Sequence, residues 1–292
     1  MSASYPFRLA VFDMDDTLLG PDRKISVENR GALEQLRAAG VEVVIASGRY
    51  AANIVIFEKS LGFLGWIISA GGAVVSNAAT GEIIREVTVP QDLGLELFYR
   101  GRETGISLIG YHNTGIFCDA QTEWTELYLR RTGQVPVADI PALISSGLQK
   151  FIWITAAGRI AELTPRMQEE YRNRLYVVNT EHEMLEFLHP ETNKAVATQA
   201  LAAKLGIARE AVLAFGDGNN DVFYIDFQRG VTVLQFQVFD RWGEKVHDGL
   251  YPWDGSYRGK PAPEAVYVYV FKLEVSGQNL ALMRKGSVTL LR

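Results

Sequence analysis

The sequence predicts an α/β protein with an additional all-β module at its C-terminal end. Three observations support this: short apolar runs alternate with helical segments, a middle region has strands and helices of its own, and the pattern changes after Asp221. Hydrophobic residues make up 48% of the 292 residues and charged residues 22%. This is the balance of a globular protein, and it excludes a largely disordered chain.

A parallel sheet is predicted for the first part of the chain. Its apolar runs lack polar alternation, which is typical of strands that are covered on both faces. Helices are predicted between them, one capped by Ser26 and stopped at Gly40 and another near residues 193–205 that stops at Gly206. The apolar runs occupy residues 7–12, 41–46, 66–69 and 211–215.

The region from about residue 86 to residue 185 predicts a separate α/β lobe. Strand-like runs at 151–155 and 175–179 are mixed with helical stretches at 91–104 and 164–173. The parallel pattern resumes only after this region. We therefore expect a core made of residues 1–85 and 186–221, with an α/β cap at 86–185 inserted into it.

The last part of the chain, residues 222–292, predicts an all-β module. Tyr267, Tyr269 and Phe271 alternate with valines, and Gly, Pro and Asp residues interrupt the apolar runs. This two-residue period indicates antiparallel strands joined by turns. We place the domain boundary close to Asp221.

Polar side chains recur where the predicted core strands end or the next helix begins. Ligands of open parallel sheets bind beyond the carboxyl ends of the strands, so these side chains are expected to meet. The chemistry that needs this combination is phosphoryl transfer through an aspartate. The residues are Asp13, Asp15 and Thr17; Ser47 and Arg49; Asn193 and Lys194; and Asp217 and Asp221.

Asp13 is the expected nucleophile, because a carboxylate can attack phosphorus and split hydrolysis into two easier steps. Asp15 is expected to protonate the leaving oxygen and later to deprotonate the attacking water. Lys194 is expected to neutralise developing negative charge. A calcium loop is the alternative for Asp13 and Asp15, but it requires Gly and Glu at its sixth and twelfth positions, where this chain has Leu18 and Lys24.

Carboxylates repel a phosphate, so a cation is expected beside them. Mg²⁺ fits because it prefers oxygen ligands and binds through few carboxylates. The expected ligands are Asp13, the backbone carbonyl of Asp15, and Asp217, with Asp221 holding a metal-bound water or orienting Lys194. The residues expected to bind phosphate are Thr17, Ser47, Gly48, Lys194 and Asn220.

These residues stand in motifs that resemble the haloacid dehalogenase superfamily, in its Cof-type subclass IIB phosphatases. The motifs are FDMDDTLL (12–19), ASGR (46–49), ISAGGAVV (68–75), LEFLHPETNKAVATQALAAKLGI (185–207) and VLAFGDGNND (212–221). The resemblance implies a Rossmann-like core, a cap inserted between the second and third motifs, and a Mg²⁺-dependent phosphatase that acts on sugar phosphates and related small metabolites. Gly71 departs from the family, which commonly has Asn there.

The tail resembles the C-terminal sorting domain of Bacteroidetes type IX secretion and gliding-motility proteins. The matching pieces are GDGNNDVFYI (216–225), VFDRWGEKV (238–246), YPWDGSYRGKPAPEAVYVYVFKL (251–273) and GSVTLLR (286–292). This resemblance implies a small β-sandwich-like module. Both families carry a GDGNND-like sequence, so the two resemblances join at residues 216–221. The helix, core strand and MGNA-like stretch with which the phosphatases continue are replaced by the tail.

Three functions are weighed. The first is a cytoplasmic phosphatase that acts on a small phosphorylated metabolite and carries an appended module. The second is a secreted protein with a sorting or surface-attachment tail. The third is a non-catalytic fusion with an inactive, truncated core. The net charge of −5 argues against nucleic-acid partners. A membrane span is not expected, because the sequence contains no run of 18 apolar residues. The N-terminal residues do not resemble a secretory signal.

Overall fold

The chain divides into two compact units, Met1–Phe223 and Tyr224–Arg292. The computed structural model describes residues 7–20, 22–133, 135–216, 231–240, 242–249, 256–258, 260–263, 265–275 and 278–290. The strands of the first unit are β1 (Leu9–Asp13), β2 (Glu42–Ala46), β3 (Trp66–Ser69), β4 (Val74–Asn77), β5 (Ile83–Glu86), β6 (Ser107–His112), β7 (Gly115–Cys118), β8 (Leu148–Ile154), β9 (Tyr176–Glu181), β10 (Met184–Leu188) and β11 (Val212–Phe215).

The helices all belong to the first unit in the described part of the chain. They are α1 (Val27–Ala38), α2 (Ala51–Val55), α3 (Glu58–Leu61), α4 (Gln91–Glu103), α5 (Glu123–Thr132), α6 (Ile140–Ser146), α7 (Ala157–Glu170) and α8 (Lys194–Lys204). A π-helical turn at Met14–Leu18 follows β1, and short 3₁₀ turns occupy Ala70–Gly72 and Arg209–Ala211.

The core sheet has the order β11-β1-β2-β3-β4-β5. The strands β11, β1, β2 and β3 are parallel, as the unalternated apolar runs predict. Alternate residues of these strands face opposite layers: one layer contains α1–α3, with Leu33, Ile54 and Leu61 buried, and the other contains α8, with Ala197 and Leu201 buried. The parallel strands therefore end together at one edge of a three-layer core.

The core sheet is mixed, whereas the sequence predicts a parallel one. The strands β4 and β5 extend it in antiparallel fashion beyond β3. The reversal occurs in the 3₁₀ turn, where Gly71 and Gly72 have φ of +73° and +105°. Glycine adopts these left-handed conformations without a steric penalty, so the chain turns back on β3 instead of crossing over the sheet.

The cap is an antiparallel sheet with the order β7-β6-β8-β10-β9. One face, with Phe151, Trp153 and Phe187, packs against α4, α6 and α7. The other face, with Ile152 and Ile154, packs together with Ala70, Ala73 and Val74 of the core. The helix predicted for 164–173 runs instead from Ala157 to Glu170 and contains Pro165. Ile160 and Met167 are fully buried on one side of it.

The second unit contains a four-stranded antiparallel sheet with the order β13-β12-β16-β17. The pairs β12–β13 and β16–β17 are hairpins, and β12 also pairs with β16 in antiparallel fashion. This confirms the predicted all-β character. A separate ladder joins β14 and β15. The strands are β12 (Val231–Phe239), β13 (Lys245–Gly249), β14 (Ser256–Tyr257), β15 (Lys260–Pro261), β16 (Ala265–Val275) and β17 (Gln278–Leu290).

Candidate active site

The side chains of Asp13 and Lys194 form a buried ion pair at the carboxyl edge of the core sheet. Asp13 is the last residue of β1, and its Oδ1 lies 2.5 Å from Nζ of Lys194. Both side chains are less than a tenth exposed. The pair brings together two residues that the sequence predicts for one site, and it places a carboxylate beside a cation where water is largely excluded.

The position of Lys194 is set by how α8 begins. Asn193 caps the helix, with its side-chain oxygen accepting hydrogen bonds from the amides of Ala195 and Val196. A Cβ on Gly72 would lie 2.5 Å from the backbone carbonyl of Asn193, a distance that real side chains do not tolerate. Only glycine permits this approach of the turn after β3 to the start of α8, which holds Lys194 over the end of β1.

Asp15 lies in the π-helical turn and is held by Arg49. Nε and Nη2 of Arg49 donate to its two carboxylate oxygens at 2.9 and 2.5 Å. Such two-pronged hydrogen bonding fixes the carboxylate plane as well as its position. The hydrogen bonds to Asp15 raise the pKa of Arg49, so the guanidinium stays charged. The Asp15 side chain is half exposed, which leaves it accessible to a substrate.

The turn that follows β2 is made of Ser47, Gly48 and Arg49. Ser47 is buried, and its Oγ accepts a hydrogen bond from the amide of Arg49 at 3.2 Å. Its carbonyl accepts from the amide of Gly71 at 3.0 Å. The turn is therefore anchored to the neighbouring turn after β3, and it presents the Ser47 hydroxyl at the same sheet edge as Asp13.

A cavity of about 630 Å³ joins these residues to the cap. From the core, its lining includes Asp13, Asp15, Ser47, Arg49 and Lys194. With Arg23 also in the lining, the described core residues of the cavity include three positive side chains, those of Arg23, Arg49 and Lys194. These cations, next to the Ser47 hydroxyl, suit a phosphate group.

The cap side of the cavity carries residues that the sequence did not point to. Lys150 and Glu186 form an ion pair of 2.7 Å, with the lysine side chain 2% exposed. The hydroxyls of Tyr111 and Tyr128 are hydrogen-bonded to each other at 2.5 Å. Burial raises the pKa of both tyrosines. No local signal in the sequence pointed to Lys150, since it only precedes the apolar run at 151–154.

Of the other predicted site residues, one lies outside the cavity lining and three lie outside the described part of the chain. Thr17 lies on the same turn as Asp15 but is not among the residues that line the cavity. Asp217, Asn220 and Asp221 lie outside the described residues. Within the described ranges, no cluster of three or more His, Cys, Asp or Glu side chains could hold a metal ion. None of the helices described above is long and apolar enough to cross a membrane.

Two family models match the chain. The model of the haloacid dehalogenase-like hydrolases matches residues 10–229, and that of the CHU_C type IX secretion signal domain matches residues 207–290. The two matches overlap at 207–229, a stretch that contains the GDGNND sequence. This confirms the two resemblances and their join at a shared motif.

Proteins similar to the first unit include phosphatases. An HMP-PP phosphatase of Yersinia pseudotuberculosis serotype O:1b is 28% identical over 232 residues, which cover 74% of this chain and 79% of that protein. A crystal structure of a haloacid dehalogenase-like hydrolase from Bacteroides thetaiotaomicron has a TM-score of 0.68 at 26% identity and covers 76% of this chain and 85% of that one. A subclass IIB sugar phosphatase shares the fold, with a TM-score of 0.62 at 18% identity, over 73% of this chain and 82% of that one. The chain belongs to the haloacid dehalogenase-like hydrolases.

Proposed function

We propose that this chain is a Mg²⁺-dependent phosphatase that hydrolyses small phosphorylated metabolites, sugar phosphates among them, through an aspartyl-phosphate intermediate. The observation that carries the proposal is the buried contact of 2.5 Å between Asp13 and Lys194 at the floor of a cavity. A carboxylate held in this way is fixed in position, and the cation beside it stabilises its negative charge. Those are the properties that an attacking carboxylate requires.

In the first step, a carboxylate oxygen of Asp13 attacks the phosphorus atom, and the bond from phosphorus to the leaving oxygen breaks. Asp15 gives a proton to that oxygen, so the leaving group departs as a neutral alcohol. Arg49 supports this role because it fixes the orientation of the Asp15 carboxyl group. The product of the step is an acyl phosphate on Asp13.

In the second step, a water molecule attacks the phosphorus atom of the acyl phosphate. Asp15 takes the proton from this water, the bond between phosphorus and Asp13 breaks, and inorganic phosphate is released. Ser47, the amides of the turn at Gly48, and Lys194 hold the phosphoryl oxygens during both steps. We keep Thr17 and Asn220 in this group as predictions from the sequence.

The donor chemistry of the site fits Mg²⁺. Asp13 supplies a carboxylate at the cavity, and Asp15, which also lines it, would supply its backbone carbonyl. Asp217 and Asp221 would complete a set made only of oxygen atoms, the ligands that this ion prefers. The ion, when bound, neutralises the phosphate charge that would otherwise be repelled by the carboxylates.

A panel assay tests this proposal. The purified chain is incubated with hexose and pentose phosphates in the presence of Mg²⁺, with EDTA and the Asp13→Asn variant as controls. Release of inorganic phosphate that depends on both Mg²⁺ and Asp13 supports the proposal. Release that persists in EDTA, or in the variant, contradicts it.

A non-catalytic fusion is the second candidate, and one observation favours it. Among the described strands, β11 is the edge of the core sheet, and Phe215 at its end is 42% exposed. An open edge and an exposed aromatic side chain favour association over function. In this case the panel assay shows no turnover with any phosphate, and the tail alone determines what the protein does.

A further inference from the structure

Lys150 is a buried cation that belongs to the cap but reaches the core. It lies in the middle of β8, and the whole residue is 2% exposed. A charge so deeply buried requires compensation, which Glu186 on the neighbouring strand β10 provides at 2.7 Å. The other oxygen of Glu186 accepts a hydrogen bond from Thr180 at 3.0 Å, so the carboxylate is itself held in place.

The ammonium group of Lys150 has a second partner across the cavity. Nζ donates to the backbone carbonyl of Gly48 at 2.9 Å. It also lies 5.2 Å from the centre of the Tyr111 ring, on the strand beside β8. An ammonium has three donors and no acceptor, and these three neighbours can use all of them. The side chain is thereby committed to holding structure rather than to contacting a substrate.

The carbonyl of Gly48 lies in the turn that is expected to bind phosphate. The three consecutive carbonyls of this turn all accept hydrogen bonds, but the donors belong to different parts of the molecule. The core holds the outer two, since Ser47 accepts from the amide of Gly71 and Arg49 accepts from the amide of Ala70. The middle one, that of Gly48, is held from the cap by Lys150.

This contact also fixes an amide. The carbonyl of Gly48 and the N–H of Arg49 belong to one planar peptide unit and point in opposite directions. With the carbonyl held by Lys150, the N–H is directed toward Ser47, whose Oγ it contacts at 3.2 Å. Glycine leaves a peptide unusually free to rotate, so the hydrogen bond to the Gly48 carbonyl restricts a rotation that the backbone itself would allow.

We propose that Lys150, supported by Glu186, is a positioning residue that orients the Gly48–Arg49 peptide and, through its N–H, the phosphate-binding hydroxyl of Ser47, and so makes the phosphate site depend on the cap. The inference rests on the proposed phosphatase function. It adds that the cap does more than surround the leaving group, because one of its side chains completes the phosphate-binding turn of the core.

The test is a double variant that carries both Lys150→Met and Glu186→Gln. The double variant removes both buried charges together, so that neither is left without a partner. The inhibition constant of inorganic phosphate is measured against hydrolysis of p-nitrophenyl phosphate with Mg²⁺, together with KM, kcat and the urea midpoint of unfolding. The matched control is Tyr50→Phe, which removes another bond between core and cap, from the tyrosine hydroxyl to the carbonyl of Asn113 at 3.0 Å.

We expect the double variant to weaken phosphate inhibition and to raise KM by about tenfold or more, the scale of losing one hydrogen bond to a charged group. The change in kcat is expected to be smaller, and Tyr50→Phe is expected to match the wild type. A folded double variant that binds phosphate like the wild type overturns the inference. A wild-type chain that does not hydrolyse p-nitrophenyl phosphate overturns the proposed function, and the inference with it.

If the double variant does not fold, Lys150→Gln combined with Glu186→Gln replaces it. Two neutral amides then fill the same space and can pair with each other, but glutamine is one bond shorter than lysine. We expect the same loss of phosphate affinity, because the side chain at position 150 no longer reaches both the side chain at position 186 and the Gly48 carbonyl. Unchanged phosphate affinity in this folded variant overturns the inference.

Discussion

Lys194 lies 181 residues after Asp13 in the sequence, yet its Nζ is 2.5 Å from Oδ1 of Asp13 in the fold. Lys194 is the first residue of α8, where the helix dipole disfavours a positive charge. The buried carboxylate of Asp13 compensates for both the dipole and the loss of water. The contact thus explains why a lysine is tolerated at the start of this helix although Lys194 is only 4% exposed.

Replacing Lys194 by methionine is expected to lower kcat by about 100-fold or more, because a cation that stabilises developing negative charge is lost. Breaking a buried ion pair also typically costs about 3–5 kcal/mol of stability. Turnover is therefore measured at a temperature where circular dichroism shows the variant folded. Lys204→Met is the matched control on the same helix, since Lys204 pairs with Glu82 at the surface and should change little. Equal losses in the two variants would contradict the assignment.

Asp15→Asn is expected to separate substrates by their leaving groups. Asparagine cannot protonate the leaving oxygen, so kcat for a sugar phosphate should fall by about 100-fold or more. The effect on p-nitrophenyl phosphate should be much smaller, because p-nitrophenolate leaves readily without a proton. Both substrates are assayed in parallel, with Asp92→Asn at the exposed start of α4 as the control. A uniform loss across the two substrates would show that Asp15 is not the acid.

Asp217→Ala is expected to raise the Mg²⁺ concentration needed for half-maximal activity by about tenfold or more. The reason is that the change removes one of few anionic ligands of the ion. Even the loss of a group that only hydrogen-bonds to a metal ligand typically lowers metal affinity by about tenfold or more. The measurement is a Mg²⁺ titration of kcat for the variant and the wild type. An unchanged titration curve would remove Asp217 from the ligands.

The buried tyrosine pair predicts a loss of stability at alkaline pH. Burial raises the pKa of Tyr111 and Tyr128 above the ordinary value of 10.0, so in the folded chain both hydroxyls stay protonated after those of the unfolded chain have ionised. Their stabilising contribution is complete below about pH 10 and is lost as the pH rises further. The slope is about 1.4 kcal/mol per pH unit for each such hydroxyl.

Urea unfolding between pH 8 and pH 11 measures this slope. The control is the double variant Tyr111→Phe with Tyr128→Phe, which lacks both ionising groups while keeping the two rings. Its stability should decline less steeply above about pH 10 than that of the wild type. If the free energy of unfolding declined equally steeply with pH in the two proteins, the tyrosine pair would not contribute to the loss of stability.

The parts of the site that lie at strand ends could be predicted from the sequence. Asp13 ends β1, Ser47 directly follows β2, and Lys194 begins the helix that leads into β11. Parallel strands and their connecting helices bring such positions to one edge. The antiparallel extension by β4 and β5 could not be predicted in the same way. It depends on Gly71 and Gly72 turning the chain back, a property that a short glycine pair also has in ordinary loops.

The cap side of the site could not be predicted, because its residues become neighbours only through the order of the cap strands. Lys150 lies opposite Tyr111 in the β6–β8 pairing, and Glu186 lies opposite Ile152 in the β8–β10 pairing. Residues two apart on a strand share a face, so this order places Lys150 and Glu186 side by side. Neither residue has a local pattern that distinguishes it from a solvated charge.

The central claim, that Asp13 carries the phosphoryl group, is tested most directly by trapping the intermediate. The wild-type chain is mixed with excess substrate and Mg²⁺, quenched, and reduced with borohydride, which converts an acyl phosphate into an alcohol. Peptide mass spectrometry then locates the reduced side chain. We predict reduction at residue 13, and none when substrate is omitted or in Asp13→Asn. Steady turnover with no reduction at residue 13, or with reduction at another carboxylate, would contradict the account.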